Sequence, residues 1–292
     1  MKTSRQLNAL IRNMSKQKNI NSQIILRNYM LERLLERISL SPYKENLILK
    51  GGMLVAAMVG LDTRTTMDMD TTLHGYPMTE DAIRCVFTDI LSVPVDDSIT
   101  LTLKKLEEIH DDAEYSGLRV TLEMLLDETR QTLKVDITTG DPITPRAVNY
   151  AFKLLFEDRT IEIKAYTLET VLAEKLETIF SRGIANTRMR DFYDVYILTH
   201  TRKSDISDSV LGNAFARTVQ KRGSDFLLRE NLGQAVQTLK DSPEMHKLWE
   251  RYQKKYAYAG DIPWQDAVDS VLELTNGISM TEQQDMDMKM EF

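Results

Sequence analysis

The chain has 292 residues, of which 42% are hydrophobic and 28% are charged, and its net charge is −7. This is the composition of an ordinary globular protein, and the length favours two domains. The single cysteine excludes an internal disulfide framework and favours the cytoplasm, and one cysteine with four histidines excludes a conventional zinc site. The N-terminus lacks a signal-peptide h-region and the apolar runs are too short to span a bilayer, so we expect no membrane partner.

The first part of the chain, residues 1–39, is predicted to form two N-terminal helices over about 3–15 and 21–39. Residues 1–40 hold eight basic and two acidic residues, so this segment carries +6 and the remainder −13. A basic arm of this kind can contact a nucleic-acid backbone. It can equally be the solvated face of two ordinary helices, and this second interpretation is favoured.

The segment 47–73 combines a strand, a glycine pair, a helix and a second strand with paired aspartates. Gly51 and Gly52 follow the apolar strand Leu47–Leu49, where glycines let backbone N–H groups approach a phosphate at a helix N-terminus. Asp68 and Asp70 are two residues apart, so we predict that they share one face of a strand over Met67–Leu73. Paired carboxylates suit a hard cation such as Mg²⁺. Each feature is weak alone, and their order within one unit is much more specific.

A third carboxylate follows in a region of alternating apolar and polar residues. After a helix capped by Thr79, this alternation predicts short strands over 100–104, 117–123, 132–138 and 160–164. Asp136 lies between Val135 and Ile137, so it is expected to point away from the core. With Asp68 and Asp70 it completes the set that phosphoryl transfer with two metal ions requires, and it would help to deprotonate the attacking hydroxyl. The alternative is a strand-end aspartate in an Asx turn.

These elements predict an α/β (α+β) core with a mixed sheet over residues 40–165 and an α-helical domain over 166–276. The helical domain begins with a capped helix that stops at Gly183, and the Met-, Gln- and acid-rich segment 277–292 is predicted to be a disordered tail. Further charged candidates for a nucleotide site are Lys50, Arg64, Lys175, Arg188, Arg190, Asp191 and Asp194. Ordinary ion pairs are the commoner fate of such residues.

The motifs KGGMLVAAMVGLDTRTTMDMD, KVDITTGD and LAEKLETIFSRGIANTRMRDFYDVY together resemble the AbiEii/AbiGii family of toxin nucleotidyltransferases, which have a DNA polymerase β-like fold. The resemblance covers about residues 40–200 well. It implies that Gly51 and Gly52 face the phosphates and that Asp68 and Asp70 bind metal. It also implies site roles for the helix residue Lys175 and for a K-x-R-D-x-x-D motif, here Arg188, Arg190, Asp191 and Asp194. One departure is Met53, where the superfamily usually has Ser or Thr.

The resemblance implies a nucleotidyltransferase that uses two Mg²⁺ ions, with Mn²⁺ as an alternative, and an NTP (GTP, CTP or ATP). We expect a toxin of a type IV toxin–antitoxin or abortive phage infection system, with the tRNA 3′ end as acceptor and a separately encoded antitoxin that forms no tight complex. The alternatives are the same fold with a protein or small-molecule acceptor, and a non-catalytic nucleotide-binding module. A kinase is disfavoured because the chain lacks a kinase Gly-rich loop and an H-R-D run.

Overall fold

The structure, a computed structural model, describes residues 3–110 and 116–290, without the side chains of residues 110, 116 and 279–290. The chain divides into two compact units. The first comprises residues 1–141 and 147–166, and the second comprises residues 142–146 and 167–292.

The first unit is built from helices and strands that alternate along the chain. Three of its four helices, all but α3, start at a side chain that caps them, as at Thr79, whose hydroxyl accepts a hydrogen bond from the backbone N–H of Ala82. The helices are α1 (Ser4–Lys18), α2 (Ser22–Leu40), α3 (Gly51–Val59) and α4 (Glu80–Ser92). The strands are β1 (Leu47–Lys50), β2 (Met69–Leu73), β3 (Thr100–His110), β4 (Ser116–Leu126), β5 (Thr129–Thr139), β6 (Val148–Lys153) and β7 (Thr160–Ala165).

Within the described residues, these strands form one mixed sheet in the order β3-β4-β5-β2-β1-β7-β6. The pairs β1–β7 and β2–β5 are parallel, and the other neighbours are antiparallel. This confirms the predicted α+β class with a mixed sheet. Strand β6 is not among the sequence predictions. It pairs only with β7 and lies at the edge of the sheet. Most of its side chains are exposed there, so its sequence shows only a weak apolar pattern.

The two faces of the sheet differ in polarity. Leu133, Val135 and Ile137 of β5 are fully buried, whereas Asp136 between them is half-buried. Helix α2 packs against β5 and β7, and α4 packs against β3. The alternation therefore gives the sheet an apolar face that belongs to the core and leaves the side chain of Asp136 on the opposite face.

Helix α2 carries an unusual buried ion-pair network. Arg37 donates to both oxygens of Asp97, at 2.7 and 2.9 Å, and Arg33 lies 2.9 Å from Glu36 and 3.0 Å from Glu157. All of these residues except Glu157 are buried. Two of the eight cations in the N-terminal basic segment therefore balance internal acids and belong neither to a solvated helix face nor to a nucleic-acid-binding arm.

The second unit is helical, as the sequence predicts from Thr167 onward. Thr167 caps the first helix by accepting a hydrogen bond from the N–H of Thr170, and Gly183 ends it with φ +50°. The helices of this unit are α5 (Leu168–Arg182), α6 (Met189–Arg202), α7 (Asp208–Lys221), α8 (Leu232–Asp241), α9 (Pro243–Lys255) and α10 (Trp264–Met290). Helix α5 packs against α6 and α7, and α10 packs against α6, α7 and α8.

The last helix differs from the sequence prediction at its C-terminal end. Leu274 and Ile278 are both buried, so the apolar side of α10 continues past the predicted end of the helix near residue 275. The backbone of α10 is helical to Met290, through most of the segment for which a disordered tail is predicted. Residues 291–292 and the side chains from position 279 lie outside the described part of the chain. No helix among the described residues is long and apolar enough to cross a membrane.

Candidate active site

Four charged residues lie directly opposite one another on four neighbouring strands of the first unit. Lys50 of β1 is opposite Asp70 of β2, Asp70 is opposite Asp136 of β5, and Asp136 is opposite Arg119 of β4. Directly opposed residues project to the same face of a sheet. The four side chains therefore form one row with the charge order plus, minus, minus, plus, which we call the charged row.

Asp68 lies just outside this row. Strand β2 begins at Met69, so the prediction that Asp68 and Asp70 share one strand is wrong for Asp68. The hydroxyl of Thr66 donates to the carbonyl oxygen of Asp68 at 3.3 Å, which holds this segment in a bend before the strand. Asp68 is half-buried, and its charge acts on Arg119. Asp68 therefore still belongs to the electrostatic surroundings of the charged row.

Asp136 forms a two-point ion pair with Arg119. Arg119 donates from Nε to Oδ1 at 2.7 Å and from Nη2 to Oδ2 at 2.6 Å. These hydrogen bonds, which Asp136 accepts, raise the pKa of the guanidinium above its already high value. Arg119 is not among the sequence predictions, because the register that places it opposite Asp136 cannot be read from a linear pattern. Across residues 3–110 and 116–290, no group of three or more His, Cys, Asp or Glu residues could hold a metal ion.

The glycine pair allows the N-terminus of α3 to approach the charged row. Gly51 has φ +63°, and a Cβ at this position would lie 2.2 Å from Oδ2 of Asp70. The N–H of Gly52 lies 3.4 Å from the same oxygen. A Cβ at Gly52 would lie 2.9 Å from the hydroxyl of Thr66 and 3.1 Å from Nη2 of Arg64. The close approach of neighbouring side chains therefore requires glycine at both positions. At Gly51 the left-handed backbone requires it as well.

Two residues beside the glycines are buried. Arg64 is 1% exposed and donates a hydrogen bond to the carbonyl oxygen of Thr65, so its guanidinium supports the glycine turn from within the unit. Met53 is 2% exposed. Its side chain is therefore part of the core, and any phosphate contact at this position has to come from the backbone N–H.

Lys50, the first member of the charged row, has its own acidic partner. Its Nζ lies 2.8 Å from Oδ2 of Asp141 and 5.5 Å from the centre of the Tyr166 ring. Thr72 and Thr138 also donate hydrogen bonds to Asp141, at 3.0 and 2.5 Å. Burial alone would raise the pKa of the Asp141 carboxyl, but the charge of Lys50 and these hydrogen bonds outweigh it and lower the pKa. Asp141 is a second polar residue of this region that the sequence predictions do not include.

The remaining predicted site residues belong to the second unit, where Lys175 is the centre of a cluster. Its Nζ lies 2.7 Å from Asp191 and 3.0 Å from Asp194, and both carboxylates are buried. The side chain of Arg188 is 52% exposed, and its Nε lies 3.7 Å from Oδ2 of Asp191. Arg190 lies elsewhere on α6, where it donates to the hydroxyl of Tyr256 at 3.0 Å and stacks over its ring.

A family comparison covers both sets of residues. The family model described as nucleotidyl transferase AbiEii toxin, type IV toxin–antitoxin system, matches residues 33–273. The chain belongs to this AbiEii family. This confirms the resemblance noted in the sequence, and it makes the chain a nucleotidyltransferase of a toxin family whose systems include a separate antitoxin. Every predicted site residue lies inside the match.

The chain is also similar to two solved structures. A crystal structure of a Helicobacter pylori protein described as a nucleotidyltransferase is 16% identical, with a TM-score of 0.44, over 91% of this chain and 97% of that one. The structure of JHP933 from Helicobacter pylori is also 16% identical, with a TM-score of 0.45, over 92% and 98%. These TM-scores are too low to transfer a residue or an activity. No curated protein matches the chain.

Proposed function

We propose that this AbiEii-family protein transfers a nucleotide from an NTP to the 3′ end of tRNA in the cytoplasm, as the toxin of a type IV system that contributes to abortive phage infection. The observation that carries the proposal is the charged row beside the N-terminus of α3. Family membership supports the reaction class and the toxin role. The choice of tRNA as acceptor rests on the resemblance to this family, because a fold alone does not determine which acceptor an enzyme uses.

The N-terminus of α3 supplies the proposed contacts to the triphosphate. The first N–H groups of a helix have no partner within the helix, and the helix dipole favours negative charge there. The residue before α3, Lys50, provides no side-chain cap to these groups. Gly51 and Gly52 add no Cβ that would keep phosphates away, so backbone N–H groups substitute for the hydroxyl that Met53 lacks.

The donor set beside this helix fits a divalent cation carried on triphosphate oxygens. Mg²⁺ is commonly bound by one or two carboxylates together with substrate phosphates, and Asp68 and Asp70 are two half-buried carboxylates in that position. Such a cation, Mg²⁺ or alternatively Mn²⁺, would neutralise charge that develops on the phosphates. We assign two roles to Asp136. It would accept the proton of the attacking hydroxyl, and it would bind the second of two metal ions.

The cluster of the second unit is given its role by the family resemblance. Lys175 is proposed as a cation that stabilises developing negative charge, and Asp191 and Asp194 fix its position through their ion pairs. Arg188 and Arg190 are proposed as phosphate contacts. The exposed side chain of Arg188 is free to reorient toward an anion, whereas Arg190 would have to release Tyr256.

The proposal is tested by incubating purified protein with Mg²⁺, total RNA and one α-labelled NTP at a time. We expect label to enter tRNA with one or two of the nucleotides, and to be lost in Asp70→Asn, which keeps the side-chain shape but removes the charge. The matched control is Asp158→Asn, because Asp158 is exposed in the turn between β6 and β7. Removal of the cation with EDTA should have the same effect as Asp70→Asn.

Each other outcome is informative. Label that enters protein or a small molecule while RNA stays unlabelled would replace the tRNA acceptor and retain the nucleotidyltransferase. No transfer to any acceptor by wild-type protein would contradict the proposal and favour a nucleotide-binding module. Equal transfer by Asp70→Asn and wild type would show that the charged row is not the active site.

A further inference from the structure

The ion pair of Arg119 with Asp136 is not explained by the proposed function. That function needs Asp136 for hydroxyl activation and for a cation, yet both of its oxygens accept hydrogen bonds from one guanidinium. We propose that Arg119 is a built-in counter-cation, which neutralises Asp136 in the resting protein and competes with a divalent cation for that carboxylate. The inference rests on the proposed function, because the cation concerned is the one that nucleotide transfer would use.

The register of the sheet fixes this pair. Arg119 and Asp136 are directly opposed on β4 and β5, and the next opposed residues on either side are apolar, as in the fully buried pair Val120 and Val135. A slip by one residue would move every apolar side chain of β4 to the polar face. The backbone therefore keeps residues 119 and 136 directly opposed, so the guanidinium can return to Asp136 whenever that carboxylate is vacant.

The charges of the row explain why a cation is needed here at all. Asp70 and Asp136 face each other on adjacent parallel strands, which are about 4.8 Å apart, and directly opposed like charges are destabilising. Lys50 lies on β1, two strands away from Asp136, and its Nζ pairs with Asp141. Arg119 meets this need for Asp136, and its charge also acts on Asp68.

The same pair opposes a metal ion at Asp136. A divalent cation on this carboxylate would lie close to the guanidinium, and the two positive charges would repel each other. The Arg119 side chain is 33% exposed, so it has room to turn toward solvent when a cation takes its place. Arg119 would thus raise the concentration of divalent cation that the protein needs to engage Asp136.

The test measures Mn²⁺ binding to the full chain by electron paramagnetic resonance, without nucleotide or RNA. Replacing Arg119 by Gln is expected to tighten Mn²⁺ binding about fivefold, the effect of losing one partly exposed charge interaction. Arg119→Lys should be intermediate, because lysine keeps the charge but cannot form the two-point pair. The gain should disappear in Arg119→Gln combined with Asp136→Asn. The control is Arg130→Gln, since Arg130 is 66% exposed and pairs with Glu123 on the same two strands.

Unchanged or weaker Mn²⁺ binding by Arg119→Gln overturns the inference, and so does the absence of Mn²⁺ binding in every variant. Circular dichroism in EDTA establishes that each variant is folded. If Arg119→Gln does not fold, Arg119→Lys provides the test. The inference then requires that Arg119→Lys binds Mn²⁺ more tightly than wild type. A protein that shows the expected Mn²⁺ pattern but labels no RNA would retain the counter-cation and lose the proposed transfer, so the two failures are distinguishable.

Discussion

Gly51 shows how strongly one residue can be constrained by the charged row. Its φ of +63° is unfavourable for any residue with a side chain, and the Asp70 carboxylate occupies the space that a Cβ would need. The position therefore carries two separate penalties, one from the backbone and one from the contact. Gly75 carries only the first, since its φ is +67° and the nearest atom to a Cβ there would be 3.7 Å away.

These two glycines give a matched pair of variants. We expect Gly75→Ala to lower the free energy of unfolding by about 1 kcal/mol, the scale of left-handed backbone strain. Gly51→Ala should cost more and should also abolish nucleotide transfer, because Asp70 has to move away from its place in the row. Urea unfolding and the labelling assay measure the two effects. Equal losses of stability in the two variants would contradict the close contact of Gly51 with Asp70.

Elements with a strong local signal were predictable from the sequence, and those that depend on pairing were not. The capped helices α4 and α5 and the alternating strand β5 agree with their patterns, because capping and periodicity are local properties. The edge strand β6 and the late start of β2 depend on partners elsewhere in the sheet. The same division holds at the candidate site. Asp70 and Asp136 stand in recognisable motifs, whereas Arg119 becomes a site residue only through cross-strand register.

Helix α2 gives a prediction at the scale of an element, through the burial of Glu32. Desolvation raises the pKa of this carboxyl from 4.5 to about 8, despite the nearby charge of Arg33 and a hydrogen bond from the N–H of Leu155. Between these two values the folded protein binds a proton that the unfolded chain releases. The contribution of Glu32 to stability is therefore present below pH 4.5 and is lost as the pH rises toward about 8.

Glu32→Gln removes this titration. We expect the free energy of unfolding of wild type to fall relative to that of Glu32→Gln as the pH rises from 4.5 to about 8. Urea unfolding at several pH values measures the difference, in which the titrations of all other groups largely cancel. A constant difference between the two proteins would show that Glu32 is ionised throughout, with Arg33 compensating its charge.

The AbiEii match extends over both units of the molecule, from α2 to α10, and leaves α1 outside. Among the described residues of the N-terminal segment, outward charge therefore comes mainly from α1, where Arg5, Arg12 and Lys16 are exposed, because Arg33 and Arg37 are buried. The features proposed for chemistry all lie inside the family match. Loss of those features, rather than loss of general surface charge, should decide whether the whole protein is toxic.

Growth after induced expression tests this prediction for the intact protein. We expect wild type to halt growth and the double variant Asp68→Ala with Asp70→Ala to be harmless, because it removes both carboxylates proposed to hold the cation on the triphosphate. The matched control is Glu128→Ala with Asp158→Ala, which removes two exposed acids from turns of the same sheet and should stay toxic. Immunoblots must show equal protein levels. If both double variants halt growth, toxicity does not depend on the charged row and the active site lies elsewhere. If neither variant halts growth, the loss of toxicity reflects the general effect of removing acids.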